Sequence, residues 1–281
     1  MVPEDASSIV VSNTVQIPIP GGGDLVIRVS HCGINHLDLI QADRGKNYKL
    51  PIGAPETLGL EVAGVILTVG EKCTRGFRVG DNVIALLSGG GYAEFAAVDE
   101  RCVFPALPHL SGAENAAIPE SFLTAYGLLF FTAQILPGAN ILVHAGSSTV
   151  GQALIQIAVR AGARVVATTR SPKKVEILIA RGASEVVVVN NVEGRFARKA
   201  LTCGGSGHTL VEEEMPFHAV FCPVGGLYLQ DNIDCLGKDG KLVLYALLDN
   251  KVGERTEDWG LAEFGCAQLM QVSRSRSQGQ V

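Results

Sequence analysis

The spacing of hydrophobic residues is most regular between Asn140 and Thr168, where it changes twice. Ile141 to Ala145 is a short apolar run, which is typical of a strand buried on both faces of a parallel sheet. A second buried run follows from Arg164 to Thr168. The pattern therefore predicts a β-α-β unit. Its helix has one apolar face at helical spacing, formed by Val150, Ala153, Leu154, Ile157, Ala158 and Ala161.

The turn of this unit, residues 145–151, reads AGSSTVG and lies where free backbone N–H groups and the helix dipole favour a phosphate. It is not the strict GxGxxG fingerprint. Roughly 20 residues beyond such a turn, an NAD-binding unit carries a carboxylate. Here residues 168–171 read TTRS, followed by Lys173 and Lys174. This cationic, hydroxyl-rich strand end indicates NADPH, and the alternative is that Arg170 and the lysines form a solvated helix start.

The residues before Pro105 follow a different pattern, in which short strands are separated by Gly and Pro without helical periodicity. This pattern predicts a small β-barrel-like domain. The expected elements are strands over 25–29, 61–69, 82–87 and 92–98 and a short helix over 36–42.

Strands and helices alternate in the second part of the chain, which predicts an α/β fold with a doubly wound parallel sheet. The expected domains are 1–110 and 111–248. Residues 249–281 lose the pattern and end in a polar, low-complexity stretch, so we expect a disordered tail there. Besides the β-α-β unit, the expected elements are helices over 123–134, 175–181, 192–201 and 227–236 and strands over 186–189, 218–222 and 241–246.

Composition narrows the class of protein. The chain has 281 residues, 47% of them hydrophobic and 18% charged, which is the balance of a two-domain α/β enzyme. A net charge of −5 argues against nucleic acid as a partner. No apolar run reaches about 18 residues, and the first residues lack the features of a signal peptide, so a cytoplasmic protein without a membrane partner is expected. The seven cysteines contain no C-x-x-C pair, which favours neither disulfides nor a tetrahedral zinc site.

Seven short blocks resemble, in order, the medium-chain dehydrogenase/reductase superfamily. Within it, the chain looks like the zinc-free quinone oxidoreductases, nearest the tumour-suppressor-inducible branch. The resemblance covers residues 24–248 and implies a GroES-like β-barrel domain followed by a Rossmann domain. The blocks are GINHLD at 33–38, GLEVAG at 59–64, VGDNV at 79–83, GGYAE at 90–94, AAIP at 116–119, LTAY at 123–126 and VHAGSS at 143–148.

The resemblance also implies that no catalytic metal is bound. In zinc-dependent members a cysteine stands at the position of Asn35 and a histidine at that of Leu60. A neutral amide is a weak ligand for Zn²⁺ and leucine has no donor atom. His36 and Asp38 remain nearby, and a structural role is the simpler interpretation of both.

Roles for individual residues follow from the resemblance. Asn35 would lie beside the nicotinamide and the substrate. Tyr48 would cover the cofactor or hydrogen-bond the substrate, or would pack against the β-rich domain instead. Thr124 would face the cofactor, the alternative being a hydrogen bond to its own helix. These three residues are the expected catalytic set. The expected cofactor-binding residues are Tyr48, Thr124, Ser148, Val150, Gly151, Arg170, Ser171, Lys174, Asn191, Gly225, Gly226 and Leu247.

Several positions depart from the family pattern near the cofactor, and together they should weaken NADPH binding. They are Thr149, Asn191, Cys222 with Pro223, and Ala246. Members of the family also continue past the fifth strand into a sixth, which pairs them as dimers. Here that part is replaced from Asp249 onward, so we expect a truncated or variant form, an unpaired sheet edge and a doubtful homodimer.

Two functional hypotheses result. The first is an NADPH-dependent quinone reductase that transfers hydride to a quinone or an activated enone, since without a Lewis acid the substrate must already be electrophilic. The second is a truncated isoform with weak or no catalysis that binds NADPH or a partner. The sequence does not identify the physiological quinone.

Overall fold

The computed structural model describes residues 10–42, 53–189, 217–225, 228–246 and 270–273. Its contacts divide the chain into two compact units, Met1–Leu123 and Thr124–Val281, here called the N-terminal and C-terminal units. The predictions for Tyr48, Asn191, Gly226 and Leu247, and for the helix over 192–201, lie outside the described residues.

The N-terminal unit is built on a five-stranded antiparallel sheet in the order β4-β1-β2-β3-β5. Apolar side chains of neighbouring strands meet on one face and form the core, for example Leu25 and Ile27 of β1 with Val62 and Ile66 of β2. The elements are β1 Asp24–Cys32, α1 His36–Ala42, β2 Glu61–Val69, β3 Asn82–Leu86, β4 Phe95–Asp99, a 3₁₀ turn at Glu100–Cys102, β5 Val103–Pro105, α2 Gly112–Ala116 and α3 Pro119–Tyr126.

The C-terminal unit holds a six-stranded sheet in the order β11-β10-β9-β6-β7-β8. Its first five strands in the chain, β6 to β10, are parallel, and their order is that of a dinucleotide-binding sheet. The elements are a π-helix Gly127–Thr132, β6 Asn140–Val143, α4 Thr149–Arg160, β7 Arg164–Thr169, a 3₁₀ turn at Pro172–Lys174, α5 Val175–Ala180, β8 Glu185–Val188, β9 Phe217–Cys222, α6 Leu229–Cys235, β10 Leu236–Leu244 and β11 Met270–Ser273.

The predicted β-α-β unit is confirmed as β6, α4 and β7. Five consecutive residues of β7, Val165 to Thr169, are buried, which is the expected burial of a central parallel strand covered on both faces. The fold class is also confirmed, since an antiparallel β-rich unit precedes a parallel α/β unit.

Two predicted elements differ in extent. The strand expected over 92–98 begins only at Phe95. Tyr92 lies in the preceding loop, where its backbone N–H donates to the carbonyl of Leu58. The helix expected over 123–134 changes form after Tyr126, where the N–H of Ala133 donates to the Leu128 carbonyl across five residues. Such a π segment inserts an extra residue into helical spacing, which apolar periodicity does not reveal.

The sheet edge beyond the fifth parallel strand was expected to be unpaired, and this expectation was wrong. Met270 to Ser273 form β11, which pairs antiparallel with Lys241 to Leu244 of β10. The segment lies within the stretch predicted to be a disordered tail, while the rest of that stretch, 249–269 and 274–281, lies outside the described residues. A four-residue strand leaves too short a pattern to detect by periodicity.

Candidate active site

The turn after β6 has the geometry of a phosphate-binding turn. Ser148 is the N-cap of α4, and its Oγ accepts the N–H of Gly151 at 3.0 Å. Ala145 has a φ of 48°, which folds the chain sharply before the helix. A Cβ on Gly151 would lie 2.4 Å from the Ala145 carbonyl oxygen, so only glycine fits this close approach. The first turn of α4 therefore starts at the carboxyl end of β6, with the N–H of Gly151 capped by Ser148.

Three of the residues expected at this turn are thus placed at one helix start. Ser148, Val150 and Gly151 occupy the N-cap and the second and third helical positions. Thr149, which departs from the family pattern, is exposed at the first helical position.

The end of β7 lies beside the turn. The N–H of Gly146 donates to the carbonyl of Thr168 at 2.8 Å, which joins the turn to this strand end. Arg170 and Lys174 are exposed just beyond it, and Ser171 is half-buried between them in sequence. The structure therefore brings a helix N-terminus and two cationic side chains to the same end of the sheet, as a diphosphate and a 2′-phosphate would require.

The end of β9 lies on the other side of β6. Gly225 has a φ of 97°, a conformation that favours glycine, and it follows the buried Cys222. Since β6 pairs with both β7 and β9, the turn lies where the strand order reverses. Open α/β sheets bind ligands at the carboxyl ends of strands at this switch point.

A buried histidine that sequence reasoning missed supports this switch point. The Nδ1 of His144 lies 3.0 Å from Thr168 Oγ1, and its Nε2 lies 2.8 Å from Asn232 Oδ1. The ring also meets Tyr228 edge-on, with 5.1 Å between ring centroids. Complete burial lowers the pKa of His144 to about 4, so the ring is neutral at pH 7. His144 thus links β6, β7 and α6 directly beneath the turn.

The N-terminal unit carries a buried polar cluster centred on Asn35. The side-chain Nδ2 of Asn35 donates to Glu61 Oε1 at 2.7 Å and to Glu120 Oε2 at 2.8 Å. The other oxygen of Glu61 accepts the backbone N–H of Glu120 at 2.9 Å, which stabilises the start of α3. Asp38 Oδ2 accepts the backbone N–H of Asn35 at 2.6 Å. We call Asn35, Asp38, Glu61 and Glu120 the Asn35 cluster.

The three carboxyl groups of the Asn35 cluster hold protons more tightly than exposed carboxyls do. Burial raises the pKa of Asp38 and of Glu61. Burial, with the charges of Glu61 and Asp38, raises the pKa of Glu120 to about 7. The hydrogen bond from Asn35 opposes this rise. The sequence predicted Asn35 as a site residue, but its two glutamate partners lie 26 and 85 residues away and were missed.

Thr124, the third residue of the expected catalytic set, lies half-buried in the last turn of α3. Within the described ranges, no group of three or more His, Cys, Asp or Glu residues is arranged to hold a metal ion. In the same ranges, no helix is both long and apolar enough to cross a bilayer.

Comparison with known proteins agrees with this architecture. Residues 21–109 match the alcohol dehydrogenase GroES-like domain family, and residues 149–274 match the family described as zinc-binding dehydrogenase. The quinone oxidoreductase of Mus musculus is 33% identical over 190 residues, which are 67% of this chain and 56% of that protein. The chain thus spans a little over half of the length of the curated quinone oxidoreductases it matches.

Two solved structures share the fold. A quinone oxidoreductase from Pseudomonas syringae superimposes with a TM-score of 0.67 at 28% identity, covering 83% of this chain and 68% of that one. A mycobacterial protein complexed with NADPH gives a TM-score of 0.70 at 27% identity, with the same two coverages.

A GroES-like unit followed by a dinucleotide-binding sheet is the architecture of the medium-chain dehydrogenases and reductases. The chain belongs to the medium-chain dehydrogenase/reductase superfamily, and quinone oxidoreductases are among its relatives.

Proposed function

We propose that this protein is an NADPH-dependent reductase that transfers hydride to a quinone or an activated enone without a metal ion. The observation that carries the proposal is the Gly146 to Thr168 hydrogen bond, which sets the amide-lined turn beside the strand end bearing Arg170 and Lys174. A turn of this kind suits a diphosphate, and the cations suit a phosphorylated adenosine ribose.

The residues of the C-terminal unit would hold the cofactor. Ser148, Val150 and Gly151 would present backbone to the diphosphate, and Arg170, Ser171 and Lys174 would contact the 2′-phosphate. Gly225, with Gly226, would allow the chain to approach the nicotinamide ribose. When bound, NADPH supplies the hydride, and the protein contributes binding, orientation and electrostatics.

The N-terminal unit would supply the substrate side. Asn35, with Tyr48, would lie beside the nicotinamide and the electrophile, and Thr124, the first residue of the C-terminal unit, would face the cofactor. Because Asn35 and Leu60 stand where zinc-dependent members have ligands, the substrate must accept hydride without Lewis-acid activation. Quinones and activated enones meet that condition. We further propose a cytoplasmic setting, in which the free cysteines of the described residues would remain reduced.

The proposal is tested by two measurements on one sample. NADPH fluorescence titration reports binding, and the quinone-dependent loss of NADPH absorbance reports turnover. We expect both, with tighter binding of NADPH than of NADH. Binding without turnover would favour the second hypothesis, a binding protein without catalysis. No binding of either cofactor would refute both functions.

A further inference from the structure

The two glutamates of the Asn35 cluster are held in unequal ways. Both carboxylate oxygens of Glu61 accept N–H groups, one from Asn35 and one from the backbone of Glu120. Protonating Glu61 would break one of these hydrogen bonds. Glu120 instead accepts only the Asn35 amide, through Oε2. Within the part of the unit that the structure describes, Oε1 of Glu120 accepts no hydrogen bond and is the oxygen that can carry a proton.

Asp38 adds a third carboxyl group to a site that has few hydrogen-bond donors. Asp38 is 3% exposed, and its Oδ1 has no hydrogen-bond partner among the described residues. The hydroxyl of Tyr92 faces Asp38 and opposes the rise in the pKa of that carboxyl. Four groups within the described ranges interact with Glu120. They are Asn35 before α1, Asp38 in α1, Glu61 in β2 and Tyr92 in the loop before β4. A cluster with three carboxyl groups and few donors is expected to retain a proton near neutral pH.

We propose that Glu120 is the general acid of the reductase reaction, with Glu61 and Asn35 as positioning residues. This inference rests on the proposed function. It is favoured because Glu120 is half-buried and keeps one oxygen unengaged, whereas Glu61 is 2% exposed and fully engaged. Its raised pKa, about 7, matches the value at which a general acid is most effective at physiological pH.

When bound, NADPH would supply a hydride, with both electrons of its C–H bond, to the quinone, so the products before protonation would be NADP⁺ and a hydroquinone monoanion. The O–H bond at Glu120 Oε1 breaks, and its proton goes to the anionic oxygen of the product. Glu120 is left as a carboxylate, and solvent restores its proton. NADPH, one proton and the quinone thus give NADP⁺ and the hydroquinone.

Glu120→Gln is the test variant, since a glutamine oxygen can still accept the Asn35 amide while the side chain has no acidic proton. We expect kcat to fall about a hundredfold. We also expect the variant to lose two features of wild-type kcat, namely its fall at alkaline pH and its solvent deuterium isotope effect. Glu71→Gln, an exposed carboxylate in the same unit, is the matched control and should leave all three unchanged. Glu120→Asp should restore part of the rate.

A second readout needs no turnover. In the NADPH-free protein, infrared difference spectra between acidic and alkaline pH should show a carboxylic acid C=O band that titrates near neutral pH. Glu120→Gln should remove this band and Glu71→Gln should not. An unchanged rate and pH profile in folded Glu120→Gln would overturn the inference, and so would absence of the wild-type band. A wild-type protein that shows the band but reduces no quinone would overturn the proposed function, and the general-acid role with it.

Discussion

The backbone N–H of Gly146 donates to the carbonyl oxygen of Thr168 at 2.8 Å, so the turn after β6 is bonded directly to the end of β7. A Cβ on Gly146 would lie 3.0 Å from Ala167, which shows how closely the two segments pack. This contact fixes the helix N-terminus and the cationic strand end in one place.

Lys174→Glu should weaken NADPH binding at least about tenfold and leave NADH binding within about twofold, because it reverses a charge expected at the 2′-phosphate. Fluorescence titration with both cofactors measures the two affinities. Lys238→Glu is the control. Lys238 is exposed in the first half of β10, before Lys241 pairs with Ala219 of β9, and so lies away from the carboxyl ends of the parallel strands. Equal losses for NADPH and NADH would contradict the assignment.

Gly151→Ala should lower the free energy of unfolding by about 1–3 kcal/mol and weaken NADPH binding, because its Cβ would lie 2.4 Å from a backbone oxygen of the turn. Urea unfolding and NADPH titration measure the two effects. Gly127→Ala is the matched control, since its Cβ would meet nothing within 4 Å. The control should change stability by at most about 1 kcal/mol. Wild-type behaviour of Gly151→Ala would show that the turn has room for a side chain.

Asn35→Asp should destabilise the N-terminal unit, because it replaces the Nδ2 donor with a carboxylate oxygen that faces Glu61 and Glu120. The loss should be larger at pH 8 than at pH 5, since the neighbouring carboxyls, whose pKa values are raised, then carry more negative charge. Thermal unfolding at both pH values measures this difference. Asn82→Asp, at an exposed position, should show little effect at either pH.

Acid should destabilise the C-terminal unit through His144. Burial lowers the pKa of His144 to about 4 in the folded state, so between its ordinary value of 6.5 and pH 4 the unfolded chain binds the proton more tightly. The stability contributed by the neutral ring is present above pH 6.5 and is lost as the pH falls through that window. The loss reaches at most about 3 kcal/mol.

The measurement for His144 is the free energy of unfolding at pH 7 and pH 5. His144→Gln should be less stable than wild type at pH 7, having lost its contacts to Thr168 and Asn232, but should show a smaller fall on acidification. His36→Gln, at an exposed histidine, should keep the wild-type pH dependence. An identical acid dependence in His144→Gln would assign the effect to other groups.

Local pattern predicted the β-α-β unit of β6, α4 and β7. The run from Ile141, the small-residue turn and the apolar face from Val150 to Ala161 lie next to one another in the chain, and each is shaped by neighbours within one helical turn or one strand. Strand and helix periods are properties of adjacent residues. The turn and the strand end could therefore be located before the fold was known.

Contacts between distant parts of the chain could not be predicted from local pattern. Asn35 was predicted from its motif, yet its hydrogen bonds go to Glu61 and Glu120, and the sequence around these two residues carries no local signal of a raised pKa. His144 meets Asn232 across 88 residues, and β11 pairs with β10 through only four residues. A pKa depends on burial and on the charges nearby in space, and the order of residues in the chain does not give these distances.

The amino-acid sequence by itself determined the parallel strands of the C-terminal sheet, the small-residue turn after β6 and the basic residues at the end of β7, because hydrophobic period and turn chemistry are local. Only the tertiary structure decided that Glu61 and Glu120 share one amide donor and that a buried histidine supports the turn. The physical reason is that side chains lose solvent and share hydrogen-bond donors only where distant chain segments come into contact. Tertiary packing determines which segments make that contact.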